Sequence, residues 1–169
     1  APAAPATPME EDTVATITGQ DGTTTQYKSF DEAVNAAQSG DTIEVIKDAT
    51  STGIDLRDKK LTIKGKTVTT TTDSGTEEKT TVKPKLKFVA KEGQSQIAGI
   101  TLWGSDLTFQ NMDVDMTGAS STTYNKWNAV CMSDNASLTL NRTDLSMDGT
   151  GLDASAQGIY MAGRGRNEL

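Results

Sequence analysis

Apolar residues recur along this chain in short phrases rather than long runs. Four phrases read small, apolar, variable, apolar: Gly53-Ile54-Asp55-Leu56, Gly99-Ile100-Thr101-Leu102, Ala129-Val130-Cys131-Met132 and Gly158-Ile159-Tyr160-Met161. The first three are followed, five or six residues on, by Leu61-Thr62-Ile63, Leu107-Thr108-Phe109 and Leu138-Thr139-Leu140. Setting residues 107–118 against 138–149 at a constant offset of 31 keeps Leu107/Leu138, Thr108/Thr139, Asp113/Asp144, Met116/Met147 and Gly118/Gly149 identical. Phe109 then faces Leu140 and Val114 faces Leu145, so apolar character is kept at alternate positions. Alternation of period two predicts strands with one inward face. No repeat shows the three- and four-residue apolar spacing that a helical repeat of similar length needs.

Repeated short strands that cannot each bury their own apolar face predict a stacked architecture. The expectation is an all-β parallel β-helix solenoid, with Leu107 over Leu138 and Met116 over Met147 in interior rows. Residues 1–12 form an Ala/Pro-rich leader that cannot pack as helix or central strand, and residues 13–169 a single β-helix domain. Within it, 13–48 read as an N-terminal cap and first strand, and 49–169 as coils with insertions at 67–82 and 119–128.

The cap begins with a hairpin: Thr13 to Thr18 alternates, Gly19-Gln20-Asp21-Gly22 turns, and a second strand runs from Thr23 to Tyr27. Ser29 offers an N-cap with Glu32 three positions later, ahead of Phe30, Ala33, Val34 and Ala37 at helical spacing. Gly40-Asp41 is read as the helix end, and Thr42 to Ile46 as a strand pairing with the first coil. Phe30, Val34 and Ala37 would plug the end of the apolar stack. The Thr-rich arms of 67–82 flank an Asp73-Ser74-Gly75 turn and predict a protruding hairpin, and Lys85 to Val89 is expected to stack on Ile43 to Ile46. The fourth phrase is followed only by the basic turn Gly163-Arg164-Gly165-Arg166 before Leu169. The solenoid is therefore expected to be truncated at its C-terminus, its open end covered by further coils of the same chain or by another copy.

The segment from Ser29 to Asp48, an aliphatic-Ala-Ala helix leading into Gly40-Asp41-Thr42-Ile43, resembles the N-terminal cap and first strand of pectate-lyase-like right-handed β-helix proteins of bacterial surfaces, adhesin-like in kind. The resemblance implies a right-handed coil. Lyases of that family use calcium held by carboxylates with a basic residue nearby, for which Arg142 is the one plausible residue here. No catalytic motif matches, so no catalytic residue carries over.

Charge and composition narrow the chemistry. A formal net charge of −7 argues against nucleic acid, which wants a basic face. Lysines at 59, 60, 64 and 66 and at 83, 85 and 87 read as solvated strand faces and edge protection. With no histidine in the chain, Ser/His/Asp and Cys/His catalysis are excluded. The single Cys131 forms no internal disulfide and, by alternation, points outward. No stretch is apolar and long enough to span a membrane. The leader looks like a mature end left after signal removal, or a linker, and the expected location is secreted or at the cell surface.

Two kinds of site follow. Trp103, Tyr124 and Trp127 offer flat rings for sugar faces. Asp113 and Asp115, with Asp144 and Asp148 one repeat on, line one outer face and would serve as a carboxylate pair for glycoside hydrolysis or as oxygen ligands for calcium, the one cofactor considered. The expected function is a structural or adhesin-like module that binds a polysaccharide or a host surface protein. The alternative is a polysaccharide lyase or glycoside hydrolase with its groove on that face or on missing coils.

Overall fold

The computed structural model describes residues 8–89, 98–116, 128–147, 157–161 and 165–169. β1 (Ala15–Thr18) and β2 (Thr24–Tyr27) form an antiparallel hairpin, whose turn places Gly22 at φ 82°, a conformation glycine adopts without strain. α1 (Phe30–Ala36) follows. Ser29 is its N-cap, with extended backbone and an Oγ that accepts the Glu32 N–H at 3.4 Å. Phe30, Ala33, Val34 and Ala37 are all buried, the one-sided stripe that helical spacing dictates. The helix ends at Ala36, ahead of Gly40-Asp41, because Ala37 turns to an extended conformation after donating its N–H to the Ala33 carbonyl.

β3 (Thr42–Val45) and β4 (Ala49–Ser51) lead into three strand triplets. The first is β5 (Ile54–Arg57), β6 (Lys60–Gly65) and, beyond an inserted hairpin of β7 (Thr67–Thr71) and β8 (Glu77–Thr81), β9 (Lys85–Phe88). The second is β10 (Ala98–Trp103), β11 (Asp106–Gln110) and β12 (Asp113–Asp115); the third is β13 (Asn128–Ser133), β14 (Ser137–Asn141) and β15 (Asp144–Ser146). β16 (Gln157–Met161) comes last. The strands sort into separate sheets in the orders β16-β13-β10-β5, β15-β12-β9-β4 and β14-β11-β6-β3-β1-β2, with β7-β8 apart.

This corrects the expectation of an all-β right-handed parallel β-helix solenoid. The sheets are separate, and the largest is mixed because β1 pairs antiparallel with β3 as well as with its hairpin partner β2. A second correction concerns β9. It does not stack on β3, which is already flanked by β1 and β6, but lies between β4 and β12.

Between the second and third triplets the register of β11 with β14 and of β12 with β15 follows the 31-residue offset, and the same apolar rows continue into the first triplet. Leu107 sits opposite Leu138 and Leu61, Phe109 opposite Leu140 and Ile63, and Val114 opposite Leu145 and Leu86. The Met116 N–H reaches the Ser146 carbonyl at 2.8 Å, and Met116 and Met147 lie against the same core. Inward residues of all three larger sheets and α1 join one apolar cluster. Each fully buried Leu, Ile or Phe contributes about 1.5–3 kcal/mol, and a one-residue slip would turn Leu107 and Phe109 outward together. Burial of these rows therefore fixes register more firmly than individual ladder hydrogen bonds, each worth about 1 kcal/mol.

The corners repeat as well. Asp58, Gly104 and Asp134 follow the in-register ends of β5, β10 and β13 and have φ of 50°, 59° and 60°, the left-handed region that Gly, Asp and Asn tolerate best. Gly65 has a different task. A Cβ there would lie 2.0 Å from the Val82 carbonyl oxygen and 2.6 Å from that of Asn111, so only glycine lets the hairpin root close against the sheet. No helix among the described residues is long and apolar enough to cross a membrane.

Candidate functional site

Alternation that sends Leu56 and Leu102 inward sends Arg57 and Trp103 outward at the ends of β5 and β10, directly opposite each other. The Arg57 guanidinium carbon lies 5.2 Å from the centroid of the Trp103 ring. Its Nε is 3.5 Å from Asp55 Oδ1 on the same strand. A cation over a ring in this way contributes about 0.5–1 kcal/mol at an exposed position. Trp103 is half-buried, and its Nε1 is buried with no hydrogen-bond partner among the described residues. A donor left so costs about 1–3 kcal/mol.

Trp103 belongs to the strand end and precedes the corner residue Gly104, rather than opening the turn itself. Tyr124, Trp127 and Asp148 lie outside the described residues. The insertion at 119–128 does so too, except for Asn128, which begins β13. Arg57 escaped the sequence reading because it closes an ordinary strand. The signal that would have found it is its position one residue past the apolar phrase, in line with Trp103.

The neighbouring β13 departs from simple alternation. Val130 and Met132 point into the core, yet Ala129, Cys131 and Ser133 are also buried, as a strand covered on both faces requires. Cys131 stands on the outward row, in line with Thr101 and Tyr160, but is covered there, and burial pushes its thiol above the ordinary cysteine range.

On the β15-β12-β9-β4 sheet the outer rows carry the charges. Lys85, Asp113 and Asp144 form one row, and Lys87, Asp115 and Ser146 the next. Asp113 and Asp144 stand directly opposite each other, a like-charge pair that destabilises a sheet by itself. Lysines answer it: Lys83 Nζ is 2.5 Å from Asp144 Oδ2 and Lys85 Nζ is 4.0 Å from Asp113 Oδ2. The structure thus brings Asp113, Asp115 and Asp144 onto one face, as the repeat predicts, but interleaves ammonium groups with the carboxylates. Among the described residues no group of three His, Cys, Asp or Glu is arranged to hold a metal ion. Arg142 occupies the exposed turn between β14 and β15, at φ 47°.

Comparison with known proteins places no family around this arrangement: no family model, curated protein or solved structure matches the chain.

Proposed function

We propose that the protein is a non-catalytic binding module, secreted or displayed at a cell surface, that retains a carbohydrate or a surface protein on the outward rows of its sheets. The observation that carries this reading is the Arg57–Trp103 pair. A ring with a guanidinium held over it combines apolar surface for the C–H side of a sugar or an aliphatic side chain with a planar fork of donors for hydroxyl or carboxylate oxygens. The rigid, in-register strands beneath keep that pair in place without ordering a loop on binding.

The enzymatic alternative finds less support in the geometry. Hydrolysis needs two carboxylates on opposite sides of a scissile bond, whereas Asp113 and Asp144 project from one sheet face with lysines already beside them. The test is retention on immobilised neutral and acidic polysaccharides and on surface-protein extracts, scored together with release of reducing or unsaturated ends. Retention without turnover, lost in Trp103→Ala and Arg57→Ala, is the expected result. Turnover abolished by Asp113→Ala or Asp144→Ala would overturn the reading in favour of an enzyme, and retention unchanged in both Trp103→Ala and Arg57→Ala would remove its basis.

A further inference from the structure

A cleft of about 450 Å³ opens where the N-terminal hairpin and helix meet β4 and β9, on a different sheet from the Arg57–Trp103 pair. Its volume falls within the range of about 300–1,000 Å³ common for small-molecule sites. Val14 and Ala49 supply the apolar lining, with Phe30 buried behind it, and Lys28, Lys85 and Lys87 meet there with Asp48. Asp48 is the one carboxylate in the lining itself, and the others nearby stand beside individual lysines: Glu10 and Asp12 at Lys28, Asp113 at Lys85 and Asp115 opposite Lys87. Asp48 is partly engaged already, since its Oδ1 accepts the Lys85 N–H at 2.9 Å.

The three lysines are not equivalent. Lys28 is 2.8 Å from Asp12 and 3.6 Å from Glu10, and its hydrogen bond with Asp12 raises it above the ordinary lysine range. Lys85 is 4.0 Å from Asp113. Lys87 makes no ion pair among the described residues, although Asp115 stands opposite it on β12, and it projects from the same face as Lys85, two positions along β9. Lys87 is thus the cation best placed to receive an anion from outside.

We infer that this cleft binds a small organic monoanion, a carboxylate carried on an apolar body, with the body against Val14 and Ala49 and the carboxylate at Lys87 and Lys85. A bare inorganic anion would leave the apolar lining wet, and a neutral hydrocarbon would leave the ammonium groups unanswered. The inference uses a different sheet from the proposed carbohydrate or protein site, so either can fail alone.

Calorimetric titration of the full chain with octanoate, acetate and 1-octanol separates the two contributions. Octanoate is expected to bind saturably, at least about tenfold more tightly than acetate or 1-octanol, the difference of one charge-assisted contact. Raising the salt concentration weakens it. Lys87→Glu abolishes binding and Lys87→Gln weakens it, while Lys79→Glu on the exposed hairpin, with the same change in net charge, leaves it unchanged. The inference is overturned if octanoate shows no saturable binding, if 1-octanol binds equally well, if both Lys87 variants bind like the parent, or if Lys79→Glu loses as much as Lys87→Glu.

Discussion

The two flanks of the strand array are built from similar sequence and end differently. Beside β1 and β3, the helix presses Phe30, Ala33, Val34 and Ala37 into the core, all of them buried. The outer β2 is tied down by Gln26, whose Oε1 accepts from the Glu10 N–H at 2.8 Å and the Thr13 hydroxyl at 2.7 Å. At the other flank β14, β15 and β16 are the last strands of their sheets. Tyr160, Met161 and Leu169 are 44%, 41% and 67% exposed there, although Met161 continues the row of Met132 and Leu102. The same apolar phrase contributes to the core when another strand lies over it and contributes little when none does.

Glycine substitutions should widen that contrast most. Gly65→Ala is expected to lose more than about 4 kcal/mol, because its Cβ meets two backbone carbonyls that cannot step aside. Gly158→Ala, with nothing within 4 Å, should stay within about 0.5 kcal/mol. Equal shifts in the urea midpoint would break the comparison. Next in size, Phe30→Ala should cost about 3–5 kcal/mol and Met161→Ala under about 1 kcal/mol, read from the same denaturation curves.

Asp31 joins the helix to the strands, accepting from the Ser51 hydroxyl at 2.7 Å, the Thr52 N–H at 3.0 Å and the Thr52 hydroxyl at 2.8 Å. Asp31→Ala is expected to lower stability by about 1–3 kcal/mol and to speed amide exchange in α1 and β4 ahead of β11. Uniform acceleration across the sheets would show that the helix is no separate unit. The smallest effect concerns Cys131. Its buried, raised thiol should react with iodoacetamide at neutral pH at least about tenfold more slowly than in the urea-unfolded chain, and fast labelling of the native protein would place β13 on the loose side of the comparison.

Pairing within the repeats was legible because two signals agree: alternation assigns a face to each residue, and the offset between Leu107 and Leu138 assigns a partner. Division into sheets was not legible, since which strand lies beside which is decided by distant elements. β9 illustrates this: its pattern would suit stacking on β3, but β1 already occupies that flank. Cys131 misled for a related reason, as alternation gives direction and says nothing of what covers the outer face. The aspartate row was visible in sequence, whereas its neutralisation by Lys83 and Lys85 required the register of β9 against β12. Arg57 over Trp103 depended on the same kind of cross-strand alignment.

Both arms of the β7–β8 hairpin are exposed along their whole length, while its root is gripped by the Val82 N–H on the Lys66 carbonyl at 2.9 Å and by the close fit at Gly65. A projection anchored so firmly at its base and so little at its tip is a natural graft point: an epitope or affinity tag spliced in place of residues 72–76 would be displayed to solvent while the remaining architecture kept its shape.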